Sequence, residues 1–517
     1  MKYHFLHTAT VAVLLAKISN GAPAIASSPK RNLIFMISDG FGQTSEAMAR
    51  AYIEQQGNNL QWASSLDSLL VGSVRTRSSD TWVTDSAAGA TAYSCAQKTY
   101  NGAIGVDKDG RACGTVLEAA KLNGYLTGLV TTSRITHATP AAFATHVVDR
   151  DMEDLIAQQL LVHDSSPANA PSGPGNRTVI KPLVDVLLGG GLCHFVPKGS
   201  SSPIESCRSD SLDLWNAAQS SGYTTVTGRH DFDALPRVPQ LPLLGLFASS
   251  HMAYEIDRDY GAQPSLQEMT LRALDILHSQ SNTTAGFFVM IEGARIDMAG
   301  HDNDPATHLR DILEYWRTVD AVRAFVDSHP DTLLVSTSDH ETGGLTLGVD
   351  PQYLWHPQLL GPVTKSAESI CSQLNILSSK EDDNDDGTIE DYVSDTVFPK
   401  YLGILNATDA EIDSVVRVAG KDGKKCKRTV GGVVSQRAHI GWSTGGHTGT
   451  DVGLYAYGRG SSAFHGNMDN TQVGQALAAY LGVSLNSATQ VVQRSAQLVL
   501  SKRQSNMFIH KPYIDHN

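Results

Sequence analysis

Four apolar, β-rich runs in this chain each stop at an acidic residue or a histidine, and that repetition restricts the fold more than any other feature. Asn32–Ile37 leads into Asp39, Phe287–Ile291 into Glu292, Thr332–Ser336 into Asp339 and His340, and Gly128–Thr132 ends shortly before His137. Short apolar runs followed by turn residues read as buried strands, and helical stretches such as Ser265–Ser279 and Ala306–Ser328 lie between them. The alternation predicts an α/β fold: a three-layer sandwich with a large central, mostly parallel sheet flanked by helices, plus a small inserted subdomain. Ligands of open α/β sheets bind beyond the carboxyl ends of the strands, so these acids and histidines are expected to converge there.

Ser86 sits in Thr84-Asp85-Ser86-Ala87-Ala88-Gly89-Ala90-Thr91-Ala92, where small residues crowd a hydroxyl into the first turn of an expected helix. A helix N-terminus presents unpaired N–H groups and the positive end of the macrodipole, which stabilise a phosphate or a phosphoserine. Taken alone, Asp or Ser before an Ala-rich run is also an ordinary N-cap.

The sharpest cluster is Glu292–His301, with Asp297 and His301 four residues apart and Glu292 five residues upstream of Asp297. One helical turn or tight loop aims Asp297 and His301 at a single cation, although the same spacing fits a solvated pair on a helix face. Asp339-His340-Glu341 adds another carboxylate and imidazole, and Gly445-Gly446-His447-Thr448-Gly449 places a histidine where backbone can approach a ligand closely. Mixed Asp and His ligation suits zinc, whereas magnesium prefers carboxylates, hydroxyls and water. Independent surface accidents do not place so many hard-metal ligands just after buried strands.

With these motifs in hand, the chain resembles the alkaline phosphatases, in particular the fungal, vacuolar or secreted repressible type, from about Asn32 to about Gly482. The resemblance is carried by Ile37-Ser38-Asp39-Gly40, Thr84–Ala92, Thr136-His137-Ala138-Thr139-Pro140, Glu292–His301, Ser338–Gly344 and Gly446–Gly449, in the family's order. It implies a phosphomonoesterase with Ser86 as nucleophile, two zinc ions and one magnesium. Asp297, His301 and His447 correspond to ligands of the first zinc, and Asp39, Asp339 and His340 to ligands of the second. Asp39 would bridge to the magnesium, which Thr139 and Glu292 also hold, with His137 beside it. Arg150, in Val148-Asp149-Arg150-Asp151, matches the arginine that grips phosphate, and Asp85 would orient it. The resemblance also implies a homodimer acting on small phosphate monoesters. Met298 stands where bacterial relatives often carry Lys and animal ones His, and His137 occupies a position that is Asp in the bacterial type. An imidazole there favours softer divalent ions over strict magnesium selectivity.

At 517 residues and 41% hydrophobic content the chain can form one large domain with an insertion, or two or three average ones; the evenly spread motifs favour one. We expect a catalytic domain over 30–500, an inserted peripheral subdomain over 345–437 that is rich in Pro, Ser, Lys and Asp, and a polar tail over 501–517. A net charge of −13 argues against nucleic acid as a specific partner, and leaves an anionic substrate to be held locally by metal ions and Arg150.

Residues 1–24 read as a cleavable signal peptide or a signal anchor: Lys2, an apolar stretch around Thr8–Ile18, then Gly21-Ala22-Pro23-Ala24. This predicts the secretory pathway, with an extracellular or vacuolar destination and no membrane attachment once the signal is removed. Asn176, Asn282 and Asn406 head glycosylation sequons. Six cysteines allow up to three disulfides; Cys193 with Cys207 is the expected pair, and none of the six has metal-ligand spacing. The competing enzyme is a phosphodiesterase or sulfatase of the same superfamily, in which Thr or a modified Cys commonly replaces the serine; Ser86 with Arg150 favours a monoesterase. A secreted, metal-stabilised binding protein without catalysis would be expected to lack the nucleophile or a zinc ligand, and every expected one is present.

Overall fold

The computed structural model describes residues 30–57, 63–161, 182–199, 204–281, 284–349, 351–379 and 388–500. The expected signal segment, the sequons at Asn176 and Asn282, and the 501–517 tail lie outside them. The strands are β1 (Arg31–Ile37), β2 (Leu70–Arg75), β3 (Leu126–Arg134), β4 (Val186–Gly190), β5 (Thr224–Val226), β6 (Leu243–Leu246) and β7 (Gly286–Glu292). They continue with β8 (Thr332–Thr337), β9 (Glu341–Thr342), β10 (Leu345–Leu347), β11 (Ile440–Trp442), β12 (His447–Thr448), β13 (Val452–Gly458) and β14 (Gly466–Asp469).

Ten of them form one sheet in the order β14-β2-β13-β8-β1-β7-β3-β4-β6-β5. Within it only β13 runs against its neighbours β8 and β2. The four apolar runs are the adjacent strands β8, β1, β7 and β3. Their register sets Thr337 beside Ile37, Ile37 beside Glu292, and Glu292 beside Thr131, so β8, β1 and β7 stop at one level and β3 runs three residues past it to Arg134. That level edge brings the acidic and histidine residues together.

The central strands β8, β1 and β7 are mostly apolar because both faces are buried. Leu33, Phe35 and Ile37 pack on one side with the helices Ser86–Cys95, Ala138–Ala144 and Asn470–Leu481. Ile34 and Met36 face the other, with Leu274 of the helix Leu266–Gln280 and Leu309 of Pro305–Ser328. The result is the three-layer sandwich. Phe35 is 0% exposed and packs its ring 5.4 Å from Tyr93 and 6.1 Å from Phe143; truncating such a side chain to Ala costs about 3–5 kcal/mol.

The two long helices begin where their caps dictate. Ser265 accepts from the Glu268 N–H while Glu268 reaches back to Ser265, and Asp304 caps a helix that opens on Pro305. Between β10 and β11, which pair antiparallel, the chain builds the helices Ala367–Ser378, Asp409–Val416 and Gly423–Ala438, and a π-helical stretch Val393–Tyr401. Their buried Ile370, Leu374, Phe398 and Val434 are continuous with the core on that face of the sheet. Disulfides join Cys95 to Cys113, Cys193 to Cys207 and Cys371 to Cys426. The expected Cys193 pairing is present; the other two link residues whose proximity no local pattern announced.

Candidate active site

Asp85 caps the helix Ser86–Cys95 by accepting the Ala88 N–H, which leaves Ser86 as the first helical residue at 0% exposure. The small residues after it let the helix lie against the sheet edge: a Cβ on Gly89 would stand 3.2 Å from the Asp339 Cβ. Ser86 Oγ is 3.0 Å from His340 Nε2. The hydroxyl therefore sits at a helix N-terminus and against the acidic strand ends at once.

Three clusters of ligand-type side chains surround it. Asp297 and His301 project from the helix Arg295–His301, with His301 Nε2 3.3 Å from Asp297 Oδ2, and His447 of β12 brings its Nε2 to 3.5 Å from Asp297 Oδ1. The two Nε2 atoms are 3.1 Å apart. Each Nδ1 faces a carbonyl, Gly445 for His301 at 2.8 Å and Thr84 for His447 at 2.9 Å, so each ring donates Nδ1–H outward and aims the Nε2 lone pair inward. In the second cluster His340 Nε2 lies 3.2 Å from Asp339 Oδ2 and 3.6 Å from Asp39 Oδ1. The third joins Asp39 to His137 and Glu292. Glu292 accepts from the hydroxyls of Thr131 and Ser133, and fully buried Thr139 faces it from the helix that His137 caps. A fourth grouping, Cys193, His194 and Cys207, has its thiols tied up in a disulfide and offers no such site.

Electrostatics explain why these clusters need cations. Asp39, Glu292, Asp297 and Asp339 are all 0% exposed. Burial, then the neighbouring Asp339, Asp297 and Glu292 charges, hold Asp39 well above the usual carboxylate range, and burial raises Glu292 and Asp339 as well. Asp297 goes the other way: burial pushes it up, but the adjacent His301, and after it His447, outweigh that and leave it well below. Burial, then the adjacent His447, keeps His340 neutral and its lone pair free to coordinate. Among the described residues, neither oxygen of Asp39 finds a hydrogen-bond donor. An uncompensated buried carboxylate costs several kcal/mol, so four converging carboxylates and four imidazoles fit divalent cations.

Arg150, nearly fully buried, donates to Asp85 Oδ2 at 3.2 Å and stands 3.0 Å from His137 Nε2. This fixes the guanidinium between the serine helix and the third cluster. Met298 packs with Tyr254 and Ala299, and Arg295, whose guanidinium lies 3.5 Å from the Tyr254 ring centre, donates to its sulfur at 2.8 Å.

Sequence reasoning passed over several residues that build the site. The Thr342 hydroxyl donates to Asp297, and Glu341 accepts from Thr448 and from the Gly344 and Leu345 N–H groups, holding β9 to β12 and hence His447 in place. Both stand inside the quoted Ser338–Gly344 motif, whose repeated polar residues were the available signal. Gly40 has φ +73, and a Cβ there would meet the Asp297 Cα at 2.6 Å, so only glycine lets Asp39 approach that helix.

A buried serine at a helix N-terminus, facing cation-demanding clusters at the carboxyl edge of an α/β sheet, defines a metal-dependent hydrolase of the phosphoryl-transfer class. The alkaline phosphatase family profile matches residues 30–483. The alkaline phosphatase of Schizosaccharomyces pombe is 44% identical over 466 residues, covering 89% of this chain and 82% of that protein. The repressible alkaline phosphatase of Saccharomyces cerevisiae is 43% identical over 508 residues, covering 93% and 87%. The crystal structure of Thermus thermophilus alkaline phosphatase superposes with a TM-score of 0.72 at 30% identity, covering 93% of this chain and 100% of that one. The chain belongs to the alkaline phosphatase family and is a metal-dependent phosphomonoesterase.

Proposed function

We propose that this enzyme releases inorganic phosphate from small phosphate monoesters through a covalent phosphoserine on Ser86, using two zinc ions and one magnesium. The observation that carries the reading is the Ser86 hydroxyl, buried at a helix N-terminus 3.0 Å from His340 Nε2 where the three clusters meet. Asp297, His301 and His447 would hold one zinc; Asp39, Asp339 and His340 the other; Asp39, Thr139 and Glu292 the magnesium, with His137 at its edge. When bound, such ions lower the pKa of coordinated hydroxyl groups and offset charge on attacking and leaving oxygens. Ser86 Oγ gives up its proton to solvent and attacks phosphorus, forming the P–Oγ bond as the bond to the alcohol oxygen breaks; the alkoxide leaves and takes a proton from water, and the N–H groups of the helix that Ser86 opens face the phosphoryl oxygens. Arg150 grips two nonbridging oxygens as a planar fork, held in direction by Asp85. Water then attacks the phosphoserine from the side that the alcohol left, the P–Oγ bond breaks, and the proton that water loses is balanced by the one Ser86 Oγ takes back as inorganic phosphate is released. Two in-line displacements retain configuration at phosphorus.

Three disulfides among the described residues suit an oxidising compartment, and Asn406 is exposed for glycosylation. No described helix is long and apolar enough to cross a membrane. We extend the reading to the secretory pathway, with a vacuolar or extracellular destination, and to a homodimer, which sedimentation of the purified enzyme checks. The function is tested by quenching turnover of radiolabelled phosphate ester in acid and mapping the labelled peptide. Label on Ser86, with p-nitrophenyl phosphate hydrolysed far faster than its diester, is the expected result; label on another residue or diester preference refutes it.

A further inference from the structure

His301 and His447 reach one cluster from separate segments, the helix Arg295–His301 and the start of β12, where the loop after β11 ends. A single side chain from a third segment touches both. Arg428, on the helix Gly423–Ala438, donates from Nε to the His301 carbonyl at 3.0 Å and from a terminal nitrogen to the Gly445 carbonyl at 3.0 Å. That same Gly445 carbonyl faces His301 Nδ1 at 2.8 Å, so it receives the guanidinium and orients the imidazole together. The backbone leaves room for this contact: a Cβ at Gly445 would lie 1.9 Å from the guanidinium nitrogen and 2.1 Å from Cζ. Arg428 is anchored at its base, since Cys426 is bonded to Cys371 and Lys427 pairs with Asp302 at 2.9 Å.

We infer that Arg428 is a positioning residue for the His301–His447 metal site, holding the 443–447 loop at the distance from the ligand helix that lets both Nε2 atoms serve one ion. The inference rests on the proposed assignment of that cluster to zinc. A guanidinium suits the task because Nε and a terminal nitrogen diverge in a rigid plane and reach two carbonyls at once, whereas the Lys ammonium is a single point donor. Removing it leaves other ties in place: the Gly445 carbonyl keeps His301, and Asn303 still donates to the Thr444 carbonyl at 2.9 Å. Solvent also reaches the outer face of Arg428. The consequence of its loss therefore falls on metal retention rather than on folding.

The test follows zinc per chain over time as the holoenzyme and its Arg428→Met, Arg428→Lys and Gly445→Ala variants are dialysed against a chelator. Partners that orient a metal ligand are typically worth about 10–100-fold in metal affinity. Arg428→Met should therefore release one zinc faster by that factor while the other leaves at the wild-type rate. Arg428→Lys should be intermediate. Gly445→Ala, which displaces the guanidinium without deleting it, should match Arg428→Met, and the double variant should be no faster than either, as expected for one shared interaction. Melting of the metal-free chains should not change. Wild-type release from Arg428→Met, or equal acceleration of both zincs, overturns the proposal; if that variant fails to fold, Gly445→Ala decides by the same criterion. His447→Ala separates the two layers of argument: if it retains both zincs the metal assignment itself is wrong, whereas loss of one there with unaltered release from Arg428→Met defeats the role of Arg428 alone.

Discussion

Asp85 carries two tasks on two oxygens, and replacing it with Asn separates them. Oδ1 accepts the Ala88 N–H at 2.9 Å as the helix cap, while Oδ2 accepts the Gly102 N–H at 2.9 Å and an Arg150 N–H at 3.2 Å. In Asp85→Asn the amide oxygen keeps the cap, but the new NH2 group faces two N–H donors and the bond to Arg150 is lost. A hydrogen bond to a charged partner contributes about 1.5–3 kcal/mol. If that energy orients Arg150 on the phosphoryl group, its loss appears in the transition state as a fall in kcat/KM of about tenfold to 150-fold. Asp85→Ala removes the cap as well, lowering stability by about a further 1 kcal/mol. Steady-state hydrolysis of p-nitrophenyl phosphate, read beside thermal melts of both variants, checks the argument. Activity of the Asn variant within about threefold of wild type, or equal melting of the two variants, would refute it.

Three further outcomes are expected. His447→Ala should lose about one zinc per chain by elemental analysis, because it removes one of the three ligands proposed for a single ion. His137→Asp should sharpen magnesium activation of metal-depleted enzyme, replacing an imidazole beside Asp39 and Glu292 with a further hard oxygen donor; superimposable titrations before and after the change would show that the imidazole has no influence. His146 is pulled down by burial, yet Glu118 at 2.9 Å and the Gly105 carbonyl at 2.6 Å outweigh this and raise its pKa above 6.5. The raised value means that the ion pair stabilises fully below about pH 6.5 and fades as pH climbs through the folded-state pKa. Glu118→Gln, which can keep the cap bond to the Thr115 N–H, should therefore cost more stability in chemical denaturation at pH 6 than at pH 9; equal costs would show that His146 is not charged in the folded enzyme.

Much of the site could be read from residues alone because its signals are local. Apolar β-rich runs ending in Asp39, Glu292 and Asp339 mark buried strands that stop at a polar edge, and Asp85 before Ser86 marks a helix start. Asp297 and His301 share a helix turn, and Cys193 and Cys207 are only 14 residues apart. What required the tertiary structure was every relation between distant segments. That Thr337, Ile37 and Glu292 end level is a matter of strand order and register between segments some 45 to 300 residues apart. The same holds for the Cys371–Cys426 bridge and for Thr342 donating to Asp297. Arg428 is the clearest case: in sequence it is one more basic residue on a polar helix, and only the packing of that helix against Asp302 and Gly445 gives it two carbonyls to hold. Periodicity and caps arise from neighbours along the chain, whereas pairing across the fold depends on which surfaces the whole core brings into contact.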